Sequence, residues 1–181
     1  EFMGDAIAKV IFGDYNPGGK LTVTFPRSVG QIPFAFPFKP GSDSKGFVRV
    51  TGSLYPFGYG LSYTTFDYSA LKIENPVIGT QGSVKLSCRV KNTGKIAGDE
   101  VVQLYLHDEV SSVTTYVKVL RGFERIHLQP GEEKVVDFVL TPQDMGLWNK
   151  DNHFIVEPGT FAVMVGSSSQ DIRLQGKFEV K

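Results

Sequence analysis

Residues 67–181 predict an all-β fold, an antiparallel β-sandwich of about seven strands. Three observations predict it. Apolar and polar residues alternate in short segments, turn residues separate those segments, and no helix of useful length interrupts them. A period of two turns one face of each strand inward, and several such strands bury those faces by closing as two facing sheets.

The elements follow in order. Val84, Leu86, Cys88 and Val90 point one way while Lys85, Ser87, Arg89 and Lys91 point the other. Val102, Leu104 and Leu106 repeat the pattern, then Val136, Phe138 and Leu140, then Phe161, Val163 and Val165. Ile172, Leu174, Phe178 and Val180 close the chain. Turns are expected at Asn92-Thr93-Gly94, Gln129-Pro130-Gly131 and Glu157-Pro158-Gly159, and a single helical turn at Thr141–Met145. This is the pattern of an immunoglobulin or fibronectin type III-like sandwich. Cys88, the single cysteine, lies in the inward alternation and reads as a buried, inert thiol.

Residues 1–66 do not read as a fold of their own. Ala6–Phe12 is apolar nearly all round, the pattern of a helix end buried in a larger body, with Gly13 as its stop. Asn16-Pro17-Gly18-Gly19 is a turn, and Leu21, Val23 and Phe25 alternate with polar residues as one short strand that Pro26 closes. One helix and one strand cannot bury each other. Residues 1–30 therefore read as the tail of a truncated α/β sandwich domain, with Glu1-Phe2 a cloning remnant.

Residues 31–66 read as an extended, aromatic-rich strap. Pro33, Pro37 and Pro40 punctuate it, and Gly41-Ser42-Asp43-Ser44 is an expected exposed loop. Ten of the chain's 22 aromatics fall between Phe34 and Tyr68, a density that a free linker in water would not carry. Tyr55, Phe57, Tyr59, Tyr63 and Phe66 are the candidate domain-docking residues.

Several runs here resemble those of glycoside hydrolase family 3, the β-glucosidase and β-xylosidase group. Tyr55–Phe66 is similar to the family's signature joining its last two domains, and Gly13–Leu21 with Val23–Arg27 to its "GxxNPxGkLpvTfP" run. Asn92-Thr93-Gly94, Ala97–Tyr105 and Leu120–Arg125 resemble its C-terminal fibronectin III-like domain. Thr22 departs from the proline common there, which bears on a strand end only. The resemblance implies a retaining parent enzyme that removes terminal non-reducing β-D-glucosyl or related residues through a covalent glycosyl-enzyme, without a cofactor. It places the nucleophilic aspartate in an upstream barrel and the acid/base residue upstream of every position matched here, so no catalytic residue is assigned. Glucosidase, xylosidase and other specificities all fit. The resemblance also implies a periplasmic or secreted location and upstream catalytic domains as partners.

The residues themselves offer little chemistry. Glycoside hydrolysis needs two facing carboxyls, about 5–5.5 Å apart for retention. Asp99-Glu100 and Asp108-Glu109 are adjacent pairs on a strand and point to opposite faces, so they read as solvated strand ends. Gly60-Leu61-Ser62-Tyr63-Thr64 has threonine where a nucleophile elbow needs glycine. Gly58-Tyr59-Gly60 lacks the rest of a dinucleotide loop. His107, His127 and His153 have no metal-ligand spacing, and Asp43, Asp151 and Asn152 form no regular calcium loop. No metal or cofactor site is assigned. Zero net charge without charge blocks argues against nucleic acid and anionic membranes as partners.

Sugar stacking is the remaining possibility. Trp148, in the polar-flanked segment Gly146–Asn152, and Tyr105 are its candidates, with Tyr116 expected to face outward too. The competing reading has Trp148 covering an edge of the sandwich core, as the usual burial of tryptophan favours. Three functions result: a structural accessory domain of a hydrolase, a carbohydrate-binding module, or an unrelated fibronectin-type adhesion domain. The last leaves residues 13–66 without a purpose.

Overall fold

A computed structural model describes residues 2–42 and 52–181. Glu1, Asp43 and Ser44 of the expected loop, and the strap aromatic Phe47 lie outside the described residues. The chain begins with α1 (Met3–Phe12), β1 (Phe25–Pro26), a 3-10 turn at Val29–Gln31, and β2 (Ser53–Tyr55). Then come β3 (Phe66–Glu74), β4 (Val77–Ile78), β5 (Val84–Asn92), β6 (Gly98–Asp108), β7 (Val119–Leu128) and β8 (Glu133–Leu140). A short helix α2 (Pro142–Met145), the ribbon β9 (Leu147–Trp148) and β10 (Phe154–Ile155), and β11 (Gly159–Gly166) and β12 (Ile172–Val180) complete it.

Two sheets face each other, one ordered β4-β12-β11-β6-β7 and the other β3-β5-β8. Seven of these strands have eight or more residues, in keeping with the alternation. They pair antiparallel, whereas the two-residue β4 runs parallel to β12. Inward residues of β5 meet Leu104, Phe161, Val163 and Val165 across the core, where Phe161 and Phe178 stack at 5.3 Å. Cys88 is buried among them, and burial pushes its thiol up to about 11, so it stays protonated. In α2, Asp144 Oδ2 accepts from the Thr141 amide at 2.8 Å and its hydroxyl at 2.7 Å, which closes the expected single turn.

Alternation alone did not reveal β3 and β7. In β3 the inward set shifts parity, Phe66 and Tyr68 giving way to Leu71 and Ile73, because the ladder slips between Ser69 and Lys72 with Ala70 at φ 51°. In β7 the inward position is Gly122, whose missing side chain makes room for Phe138, while Phe123 faces solvent. An apolar residue outside and a glycine inside invert the expected pattern.

The N-terminal third differs from expectation in one respect. Helix α1 ends where expected, at Gly13 with φ 84°, and the Gly13 amide donates to Val10 O. The strand expected over Leu21–Phe25 is reduced to Phe25–Pro26, paired with β2. Leu21 instead bonds the strap, its amide to Tyr59 O and its carbonyl from Gly58 N, both at 2.8 Å. A lone strand has no sheet to extend here. No residue of α1 is buried, and Phe12 is 82% exposed.

Candidate functional site

The candidate docking aromatics divide into an inner and an outer row. Phe57 faces inward, stacked on Phe36 at 4.7 Å, and Phe36 meets Tyr105 edge-on at 5.8 Å. Phe66 packs against the sandwich core. Tyr55, Tyr59 and Tyr63 form the outer row: Tyr55 stacks on Tyr59 at 5.0 Å and meets Phe25 edge-on, while Tyr63 is half exposed. The strap thus lies on the sandwich itself, covering the outer face of β6, and turns a second aromatic row away from it.

That cover corrects the expectation for Tyr105. It is fully buried, its hydroxyl donating to Gln103 Oε1, and offers no face to a sugar. A central strand in a sheet without a strap would have exposed it. Gln103 is the anchor of the inner row. Its Nε2 donates to Gly58 O at 3.1 Å and Ser167 O at 2.7 Å. Gly58 lies at φ 80°, and a Cβ there would overlap Gln103 Oε1. Backbone bonds from Ser169 N to Phe57 O and from Val117 N to Phe38 O tie the strap at two further points.

Polar pins join the N-terminal segment to the same face. Asn16 Nδ2 donates to Ala97 O at 2.9 Å, and its Oδ1 accepts from the Tyr63 amide at 2.8 Å and Ser62 Oγ at 3.1 Å. Tyr63 OH donates to Val10 O at the end of α1. Lys20 pairs with Glu100 at 2.9 Å, both nearly enclosed. Glu100 is therefore no solvated strand end, because the incoming lysine covers it. Desolvation of two charges this buried offsets much of their attraction.

Asp99, on the opposite face as expected, binds Arg125 and lies 2.6 Å from His127 Nδ1. Burial alone would raise its carboxyl; the bonds from His127 and Arg125 outweigh that and hold it below the usual range. Asn92, wholly buried, donates through Nδ2 to Ile96 O and Leu128 O, and its Oδ1 accepts from Thr64 Oγ1 and the Gly94 amide. Asn16, Asn92 and Gln103 stood inside quoted sequence runs, but an amide side chain carries no mark of its partner in sequence.

Trp148 is 62% exposed, so the core-edge reading fails: the β9–β10 ribbon stands apart from both sheets and holds the indole against Phe154. Asp108 lies half buried in the cleft beside it, its carboxyl raised first by burial and further by Glu157, against the Val110 amide and His107. Glu109 instead pairs with Lys177. Among the described residues no three His, Cys, Asp or Glu side chains gather as metal ligands, and no helix is long and apolar enough to cross a membrane.

Comparison with known families gives the two parts one origin. Residues 1–63 match the glycosyl hydrolase family 3 C-terminal domain, and residues 100–169 a fibronectin type III-like domain. The chain belongs to glycoside hydrolase family 3, as a C-terminal part. This family 3 chain is 50% identical over 171 residues to a β-xylosidase of Formosa agariphila, covering 92% of itself and 24% of that relative. It is 46% identical over 188 residues to a periplasmic β-glucosidase of Salmonella typhimurium, covering 98% of itself and 24% of that relative. A β-glucosidase from Erythrobacter marinus matches its structure with TM-score 0.92 at 43% identity, over 98% of this chain and 24% of that one. The family 3 chain thus spans about a quarter of the length of these relatives. Membership removes the unrelated adhesion-domain reading.

Proposed function

We propose that this chain is the C-terminal accessory part of a β-glucosidase-type glycoside hydrolase, in which the sandwich (67–181), clamped by the strap (31–66), stabilises the upstream catalytic domains through the tail at 1–30. One observation carries the reading: an apolar helix, none of whose residues is buried among the described residues, is held by Tyr63 of the strap. It is followed by Asn16, which bonds Ala97 O of a sandwich that has its own core. Ile7, Ile11 and Phe12 stand exposed on α1, and the half-exposed Tyr63 bonds the helix at Val10 O. Fully burying one such side chain contributes about 1.5–3 kcal/mol, so a neighbouring body has much to gain by covering them.

The parent's activity would be hydrolysis of terminal, non-reducing β-D-glucosyl or related residues with retention, its nucleophile and acid/base lying upstream. The names of the relatives support that substrate class. A periplasmic or secreted location follows the Salmonella typhimurium relative. The isolated 181 residues are expected to show no hydrolysis.

Hydrogen exchange tests the docking. Amides of α1 should exchange within the fraying range in this chain alone, and be protected by several orders of magnitude in the parent enzyme. Equally fast exchange of α1 in both would overturn the reading.

A further inference from the structure

The Trp148 cleft opens at the edge of the strap, which contributes Lys39 to its lining. Trp148 is 62% exposed on the short β9–β10 ribbon. Gly146 leaves space that a Cβ would take from the Phe154 ring, and that ring meets the indole edge-on at 5.7 Å. The indole is therefore positioned, with one face open.

Beside it opens a cleft of about 340 Å³, of the size of small-ligand sites, about 300–1,000 Å³. Its floor is apolar, with Leu106 and Phe161 buried beneath it. The opposite wall is the segment Val113–Tyr116, which is braced from behind. Ser111 Oγ donates to Val113 O at 2.9 Å, Ser112 N to Glu157 at 2.8 Å, and Val117 N to Phe38 O at 3.0 Å. Tyr116 is half exposed and lines the same cleft as Trp148.

The polar lining balances. Lys39 and Arg121 supply two positive charges, Asp108 and Asp144 two negative. Asp144 is committed to capping α2, whereas Arg121 makes no salt bridge among the described residues. An anionic ligand would meet as much repulsion as attraction. A neutral, hydroxyl-rich ligand can use donors and acceptors together, and an open aromatic face suits the C–H face of a pyranose ring.

We propose that this cleft binds a neutral oligosaccharide, with Trp148 as the platform beneath one sugar ring and Arg121 and Asp108 bonding its hydroxyls. Trp148, Arg121 and Asp108 take no part in docking the strap's aromatics, although the strap lends Lys39 to the lining and Phe38 O to the wall.

An amide-resolved NMR titration of this chain with cellobiose and xylobiose tests it, with glucuronate as the anionic comparison. Saturable shifts are expected in residues 113–121 and 144–148, with a dissociation constant on the order of 1 mM or tighter. Trp148→Ala should weaken binding at least about tenfold, roughly 1.4 kcal/mol. Arg121→Gln, a change at an exposed side chain, should weaken it with the melting temperature unchanged. No saturable shift with either neutral sugar overturns the proposal. So does binding that survives both substitutions, or tighter binding of glucuronate than of the neutral sugars.

Discussion

Replacing Gly58 with alanine will unseat the strap, at a cost of about 3 kcal/mol in backbone strain and orphaned polar groups. The backbone there has φ 80°, and the new methyl would occupy the place of Gln103 Oε1. A glutamine can often swing aside, but this one is buried and held from three directions, by Gly58 O, Ser167 O and Tyr105 OH. Moving it orphans all three. The check is a thermal melt together with hydrogen exchange at Ser169 and Val117, whose amides bond Phe57 O and Phe38 O. Gly41→Ala is the control: φ is 78° there too, but no described residue lies within 4 Å of the added carbon. It should cost about 1 kcal/mol of backbone strain. If both substitutions cost the same, Gln103 does not anchor the strap.

Asn92→Asp will be comparably damaging and strongly dependent on pH. The change keeps the shape but turns the Nδ2 donor into an oxygen facing Ile96 O and Leu128 O. An unpaired buried carboxylate among acceptors costs about 3–5 kcal/mol at neutral pH. Burial and those carbonyls raise the new carboxyl's pKa in the folded state above its unfolded value of about 3.9. The penalty is therefore least below the unfolded value, grows as pH rises toward the folded one, and is complete above it. Denaturant melts of both proteins at pH 4 and pH 7 measure it. A pH-independent difference would show that position 92 is wetter than its burial indicates.

The two effects share a cause. Asn92 joins the end of β5, the end of β7 and Thr64 of the strap. Gln103 joins β6, the strap and the segment after β11. Each polar side chain, fully used, replaces hydrogen bonds that the chain would otherwise make to water. Losing one partner leaves the others exposed to the full cost of desolvation.

Much of this fold was legible because period-two alternation is local. β5 shows it without interruption; β8 and β11 carry their inward apolar set at the same period, with apolar residues on the outward face as well. The parity slip in β3 and the inward Gly122 in β7 were not legible, since both depend on what the facing strand presents. Aromatic density revealed that the strap docks, but not on what: Tyr105 reads as an outward strand residue until Phe36 is laid over it. Trp148 erred the other way. Its burial was expected from residue type, whereas the two-residue ribbon that carries it joins neither main sheet. The charged pin between Lys20 and Glu100 spans the junction between the N-terminal tail and the sandwich, so neither local pattern nor spacing announces it.

The clamp itself is tested most directly by thermal unfolding of the full-length parent enzyme with and without residues 67–181. The account predicts that the shortened enzyme, with the strap left uncovered by the sandwich, melts well below the intact one and loses activity with its fold. An unchanged melting curve with full β-glycosidase activity would contradict it.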